Sequence, residues 1–351
     1  MIDHTVTPRV SSWYSLSGPE RDVAVVSQVS LNRNIVELPF VHLMKGKEFL
    51  DLRKRVETAI HALPGEYRLL DGETLTAPLR EFYEDRGILV VGERAGVSAV
   101  SVDDTSAIRL GTADHLRLSG FSGGLDPERA RERAVLLDQL MEQHLEYAVS
   151  LQLGYLSPDV HRVGTGLMGS VLLHLPALEH SEGLRLPEEL RLPGGRSGDR
   201  ITVHRYGSTE NDKGSLYVVG YGALFGRTED EVITELAEFT YGLVHYEQEA
   251  RRELLRLHGE ELADGAGRAL GILRYARKLS SGEAMDLLST VRLGVSLEVI
   301  DGVDLNGLTD ALFVSRDSQV RVLEEKNDTV STEAASVEAA RANLIRTILE
   351  V

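Results

Sequence analysis

The sequence predicts an α+β fold, a largely antiparallel sheet flanked by helices and followed by a small all-helical C-terminal domain. Three observations carry that prediction. Short runs rich in β-branched and apolar residues recur between polar turns, at residues 22–31, 86–104, 106–111, 115–121, 201–207 and 214–226. Two strong helix-start signals separate them, Asp126-Pro127 and Thr228-x-x-Glu231. Beyond the glycine-containing stretch at residues 263–267, every remaining pattern is helical.

Taken in order, DVAVVSQVSL at residues 22–31 reads as a buried strand, and two helical stretches follow it. The apolar runs on either side of Gly92-Glu93-Arg94-Ala95-Gly96 predict a hairpin, and SAIRLG and HLRLSGF continue the β pattern. The helix after Asp126 places Ala134, Leu137, Leu140 and Leu145 at roughly helical spacing. Residues 181–200, with Pro187, Pro193 and several glycines among charges, read as a surface excursion. ITVHRYG and GSLYVVGYGALFG predict two strands flanking the polar turn STENDK. The helix opened by Thr228 runs past Arg252, and its charged run Glu247–Glu253 reads as an exposed face with i,i+4 pairs. The domain boundary is expected near residue 263, giving domains of 1–262 and 263–351. In the second, residues 268–300, 306–316 and 332–350 are helical in pattern, and EEKNDTVSTE is a polar connector.

With 351 residues, 42% of them hydrophobic, the chain can bury two cores of ordinary size. Its 55 acidic and 38 basic residues give a formal charge of −17, which repels nucleic acid and acidic membranes and favours basic protein partners. The absence of cysteine excludes disulfides, thiolate metal sites and thiol nucleophiles. The N-terminal MIDHTVTPRVSSWYS lacks a signal-like apolar core, and no run reaches the roughly 18–20 apolar residues of a membrane span, so a cytoplasmic protein is expected.

Gly164-Thr165-Gly166 is either a phosphate-binding loop or a tight turn leading into a buried helix. His161, His174 and His204 show no metal-ligand spacing, and a hydrogen-bonded structural role is expected for each. Asp103-Asp104 is either a Mg²⁺ site or a solvated turn.

These residues sit within a wider pattern. LSPDVHRVGTGLMGSVLLHLPAL, residues 156–178, resembles the segment Cys-Pro-x-x-Val-Gly-Thr-Gly-Leu-Arg-x-Ser-x-x-x-His-Leu-Pro of bacterial protein-arginine kinases, members of the phosphagen (guanidino) kinase superfamily. VSQVSLNRNI resembles their Ser-Ser-Arg-x-Arg-x-x-Arg-Asn strand, VSVDDTSAIRL their Asn-Glu-Glu-Asp-His-x-Arg strand, and residues 279–300 their C-terminal helical segment. The resemblance implies a phosphagen-kinase-like catalytic domain and, for the second domain, dimerisation, with Leu287, Leu288, Val291 and Leu293 apolar enough to serve it.

In that family arginines clamp the ATP phosphates, a carboxylate orients the guanidinium, and Mg²⁺ bridges the phosphates, because phosphoryl transfer is mostly positioning plus charge stabilisation. Carried over position by position, the first clamp arginines fall on Gln28 and Ser30, while Arg33 is kept. The Glu-Glu pair falls on Asp104 and Thr105, with the base at Thr105, the histidine falls on Ala107, and Arg109 is retained. The arginine after Gly-Thr-Gly-Leu is Met168, the cysteine is Ser157, and Arg-Gly-x-Tyr-Gly-Glu aligns with residues 203–208, losing its ends to Val203 and Ser208. The nucleotide-binding remnant is thus Arg33, Arg109, Gly164, Thr165 and Gly166. One transition-state arginine is worth ~10³–10⁵ in rate, or roughly 4–7 kcal/mol.

The resemblance therefore implies a degenerate member, a pseudokinase acting through protein partners such as an active kinase of the family or quality-control components, with no cofactor expected. A second reading keeps Mg·ATP-dependent activity, with Asp104 or Glu210 as base and Arg109, Arg162 and Arg205 converging on one pocket. A third is a phosphoarginine-binding adaptor, since the family's Arg-Asp-x-x-Arg-Ala motif matches residues 337–342, where Val337 replaces the first arginine and Glu338 and Arg341 remain.

Overall fold

The computed structural model of the chain describes residues 12–89, 97–179, 201–207, 214–222, 226–325 and 337–349. The turn at residues 92–96, the excursion 181–200, the turn 208–213 and most of the connector 324–333 lie outside these residues.

Ten strands and nine α-helices follow in order among the described residues: β1 (Ala24–Arg33), α1 (Gly46–Ala62), β2 (Tyr67–Asp71), α2 (Ala77–Asp85), β3 (Val97–Ser101), β4 (Ser106–Leu110), β5 (Leu116–Gly123), α3 (Pro127–Glu142), β6 (Val149–Ser150), β7 (Gly154–Tyr155), β8 (Leu167–His174), α4 (Pro176–Glu179), β9 (Ile201–Arg205), β10 (Leu216–Gly222), α5 (Glu229–Tyr275), α6 (Ser281–Ser296), α7 (Leu305–Val314), α8 (Asp317–Glu325) and α9 (Val337–Leu349). Eight of the strands form one sheet in the order β2-β3-β4-β5-β1-β8-β10-β9, and every pairing in it is antiparallel.

Side chains alternate across this sheet, and the two faces have different neighbours. Val29 and Leu31 of β1, Leu116 and Leu118 of β5, Val171 and Leu173 of β8 and Tyr217 and Val219 of β10 join one core with α1, α3 and the first half of α5. Gly120 faces α3 at a distance no side chain tolerates, since a Cβ there would lie 2.2 Å from the Ala130 carbonyl oxygen. The other face receives Trp13, Tyr14, α2 and the C-terminal helices in a second core, where Trp13 stacks on Phe121 and Tyr14 on Phe313. These elements cover only part of that face. The uncovered part is the cleft described below.

Helix starts follow the sequence signals. Asp126 accepts from the Arg129 amide, Thr228 and Glu231 form the reciprocal capping box, and Ser280 caps α6 through the Glu283 amide. The expected stop at residues 263–267 is corrected: these residues are helical through to Tyr275, and the break falls earlier, at a kink at His258 where two helical segments of α5 meet. Gly265 and Gly267 each cost about 1 kcal/mol in a helix interior, which burial of Ala266, and of Ala269, Leu270 and Leu273 in the second core, offsets. The sequence reading placed no helix at α8, whose Val320, Val322 and Leu323 are nonetheless buried. Leu288, Val291 and Leu293, expected at a dimer interface, are buried inside this chain, and Leu287 packs against the second core that holds Leu288 and Val291.

The charged run in α5 is also corrected, because Glu247 and Arg251 are buried. Glu247 accepts from the Ala177 and Leu178 amides and from Arg251 Nε at 2.7 Å. Arg251 donates to the His174 carbonyl, and Arg292 Nη1 donates to His174 Nδ1 at 2.7 Å, while His174 Nε2 meets Ser289 Oγ at 2.8 Å. Accepting at Nδ1 fixes the imidazole as the neutral Nε2–H tautomer. Burial first, then the Arg292 and Arg251 charges, hold its pKa well below the ordinary value.

The sign of the pH dependence follows. Below about pH 6.5 unfolded His174 takes a proton that the folded chain refuses, so stability is full above that pH and falls by up to about 1.4 kcal/mol per unit below it. His115, also lowered by burial, adds in the same direction. Urea midpoints at pH 7, 6 and 5 should therefore decline, with a shallower slope in His174→Gln; equal slopes would contradict the assignment.

Candidate functional site

A cleft of about 410 Å³ opens on the uncovered face of the sheet, floored by the even-numbered side chains of β1, β8 and β10. Gln28 and Ser30 come from β1, Met168 and Ser170 from β8, and Thr202 and His204 from β9. Its cations come from Arg109 on β4, Arg117 on β5 and Arg86 after α2.

Arg109 and Arg117 are direct cross-strand partners. Like charges opposed in this way destabilise a strand pair unless an opposite charge lies between them. Arg109 is 9% exposed, donates Nη1 to the Gly87 carbonyl at 2.8 Å, and leaves Nε buried without a partner among the described residues. Burial, with the Arg117 charge second, lowers its pKa to about 9. Arg117 donates Nε to Asn32 Oδ1 at 3.1 Å and lies 4.0 Å from the Met168 sulfur. Its own pKa is lowered by burial and then by Arg162. Arg86 lies over the Phe82 ring and donates to Gln319 Oε1. No carboxylate lines the cleft among the described residues.

Gly164-Thr165-Gly166 leads into strand β8 rather than into a helix. Gly166 has φ +65°, and a Cβ there would lie 2.6 Å from the Asn32 carbonyl oxygen. The Asn32 amide and Nδ2 both donate to the Gly166 carbonyl at 2.9 Å, and Arg33 Nη1 donates to the Thr165 carbonyl at 2.8 Å. Arg33, expected with the clamp remnant, points to the helical face instead. It shares the parity of Val29 and Leu31, pairs with Asp138 at 2.7 Å and stacks 3.5 Å over the Tyr155 ring. The turn is held to the sheet through its carbonyls.

The position carried over for the base is corrected too. Asp-His-x-Arg stands verbatim at Asp114-His115-Leu116-Arg117, entering β5, one strand later than the match at residues 103–109. The Glu-Glu pair then falls on Thr112 and Ala113, neither of them a carboxylate. Asp103, Asp104 and Thr105 form the β3–β4 turn: Thr105 Oγ1 donates to Asp103 Oδ2 at 2.8 Å, and Asp104, at φ +55°, pairs with Arg68. Ala107 is buried in the second core.

Buried Asp114 gathers the family-like segments around itself. It accepts from Asn34 Nδ2 at 2.7 Å, Ser157 Oγ at 2.8 Å and Arg162 Nη1 at 3.3 Å. His115 accepts the Ile35 amide at Nδ1 and donates Nε2–H to the Pro39 carbonyl. The arginines expected to converge therefore diverge: Arg109 lines the cleft, Arg162 is held by Asp114 and Asp159, and Arg205 pairs with Glu179 on the helical side of β9. Val203 packs on that side as well, and Ser208 and Glu210 lie outside the described residues.

The C-terminal pair is not a pocket. Arg341 is 1% exposed and donates to the Ser315 and Leu279 carbonyls at 2.5 and 2.6 Å and to Asp317, closing the end of α7. Glu338 is exposed. No group of three or more His, Cys, Asp or Glu suited to a metal occurs among the described residues, and the cleft lining does not fit a protein-held Mg²⁺. No helix among them is long and apolar enough to cross a membrane.

Residues 54–250 match the family described as ATP:guanido phosphotransferase, C-terminal catalytic domain, and residues 259–351 match the protein-arginine kinase McsB C-terminal domain. The two matches meet near the α5 irregularity at His258. The protein-arginine kinase of Halothermothrix orenii is 32% identical over 99% of this chain and 98% of its own length. That of Moorella thermoacetica is 35% identical over 84% of this chain and 86% of its own. Among solved structures, the substrate-free duplicated taurocyamine kinase of Schistosoma mansoni superposes with a TM-score of 0.55 at 18% identity, over 75% of this chain and 40% of that one. A lombricine kinase gives 0.52 at 18% identity, over 69% and 71%. These structural likenesses show a phosphagen-kinase-like fold.

Proposed function

Because the chain belongs to the ATP:guanido phosphotransferase family, among the protein-arginine kinases, we propose that it is a homologue that has lost phosphoryl transfer and acts as a protein-binding, regulatory subunit. One observation carries the reading: no carboxylate lines the cleft among its described residues, and the positions that the motif gives to carboxylates hold Thr112 and Ala113. Without a carboxylate the guanidinium is neither oriented nor relieved of its proton. Neutral Gln28, Ser30 and Met168 supply no charge to a transferring phosphoryl group. The formal charge of −17 suits a basic partner and disfavours nucleic acid. A cytoplasmic setting, with an active kinase of the family or a quality-control component as partner, belongs to the same reading.

The test is arginine phosphorylation of a basic protein substrate by Mg·ATP, run beside the Halothermothrix orenii relative. Turnover at least ~10³-fold below the relative is expected, the loss that follows from removing one essential charge. A rate within tenfold of the relative that disappears in Arg117→Ala would overturn the proposal. That outcome would favour the second reading, an active enzyme with a rearranged site, which the presence of Arg86, Arg109 and Arg117 in one cleft supports.

A further inference from the structure

We propose that a second cavity, lying between α5, α6 and the start of α4, is the docking site for a basic peptide segment of a partner protein. The inference goes beyond the proposed function by placing the partner on this chain, and it does not depend on whether the arginine-lined cleft transfers phosphate. The cavity measures about 520 Å³, within the roughly 300–1,000 Å³ range of ligand sites. One wall is α5 on both sides of its kink at His258, and the other is α6.

The charge of the lining comes first. Glu261 and Asp286 line the cavity, and no Lys or Arg does so among the described residues. This inverts the cleft on the sheet, which has three arginines and no carboxylate. Both carboxylates are exposed. Arg205, whose charge reaches Asp286, is held instead by Glu179 and the Tyr217 hydroxyl. A cation arriving here is attracted by the local carboxylates and by the formal charge of −17.

A buried donor adds an independent requirement. Ser289, 5% exposed, lines the same cavity. Because Arg292 donates to His174 Nδ1, the imidazole carries its proton on Nε2 and donates it to Ser289 Oγ, so the serine is an acceptor in that bond. Its own O–H reaches no acceptor among the described residues, whereas the neighbouring Thr290 spends its hydroxyl hydrogen on the Asp286 carbonyl at 2.8 Å. An unspent buried donor is costly, and an occupant that carries an acceptor relieves it.

Leu254, Leu262 and Leu293 supply an apolar wall. A peptide segment meets all three demands together: a main-chain carbonyl for Ser289, an apolar side chain for the leucines, and a lysine or arginine for Glu261 and Asp286. An inorganic cation brings no acceptor, and nucleic acid or an anionic membrane is repelled by the carboxylates.

Fluorescence polarisation of the full chain with a fluorescein-labelled decapeptide that alternates lysine and leucine tests this, beside a counterpart in which glutamate replaces every lysine. Binding of the lysine peptide in the micromolar to submillimolar range is expected, with none of the glutamate peptide. Gly265 lines the cavity, and a Cβ there meets nothing within 4 Å, so Gly265→Leu fills the space without a clash. It should weaken binding at least tenfold while the thermal midpoint stays level or rises, since leucine replaces a helical glycine. Glu261→Gln should weaken binding about threefold, whereas Glu260→Gln, which removes the same charge from a residue outside the cavity, should leave it unchanged. Undiminished affinity in Gly265→Leu, equal losses in the two glutamate variants, equal binding of the glutamate peptide, or no binding of the lysine peptide at millimolar concentration would overturn the inference. The phosphorylation assay reads the other cleft: turnover at the relative's rate would sink the non-catalytic reading and leave this result standing, and failure of the peptide to bind leaves the phosphorylation result untouched.

Discussion

Arg292→Met is expected to lower the free energy of unfolding by about 3–5 kcal/mol. Arg292 is fully buried in α6 and donates to four acceptors from separate parts of the chain: the Asp22 carbonyl at 2.8 Å, the Arg21 carbonyl at 2.8 Å, His174 Nδ1 at 2.7 Å and Thr309 Oγ1 at 3.3 Å. Methionine can refill the volume of the stem, but it leaves the Arg21 carbonyl and the His174 imidazole nitrogen without donors, whereas the Asp22 carbonyl keeps Arg251 Nη1 at 3.2 Å. Each buried orphan costs roughly 1–3 kcal/mol. An opposing effect reduces the sum, because removing a desolvated cation, with its pKa lowered to about 9 by burial and then by Arg251, also removes a penalty. The orphans win, since they are split between β1's approach and β8 and cannot rotate together towards another donor. Urea unfolding at pH 7 checks this, and a change under about 1 kcal/mol would mean that Arg251 or water takes over the vacated acceptors.

Much of the fold was legible because its signals are local. The capped starts at Asp126 and Thr228, the β-branched run of β1 and the strands β4 and β5 each declare themselves within a few residues. The continuation of α5 through Gly265 and Gly267 was not legible, because tertiary burial of Ala266, Leu270 and Leu273 overrides a local propensity. Buried Glu247 and Arg251 were misread for a related reason: a charged helical face looks solvated unless the partner elements are known.

The site was legible in kind but not in register. Motif matching identified the losses at Gln28, Ser30 and Met168, and these residues do line the cleft. It placed the base one strand early, on residues 103–109, although Asp114-His115-Leu116-Arg117 was present verbatim and would have exposed Arg117. Arg33 illustrates the other limit. Strand parity decides which face a side chain joins, and a count from Gln28 and Ser30 already places Arg33 opposite them.

Asp114→Ala is expected to cost about 3–5 kcal/mol as well. The fully buried Asp114 carboxylate joins the exit of β1 through Asn34, the loop before β8 through Ser157 and Arg162, and the entry of β5 through its own backbone. Alanine takes the acceptor from the half-buried Ser157 hydroxyl and from one N–H of buried Asn34 Nδ2, which keeps its bond to the Leu156 carbonyl at 2.8 Å, whereas Arg162, partly exposed and also paired with Asp159, recovers water. Asp114→Asn separates charge from hydrogen bonding, because an amide oxygen still accepts from Asn34 and Ser157 and only the pairing with Arg162 is lost. Its expected cost is about 1 kcal/mol. Denaturation of both variants checks the pair. Equal stability losses would assign the hub to the charge of Asp114 rather than to its geometry.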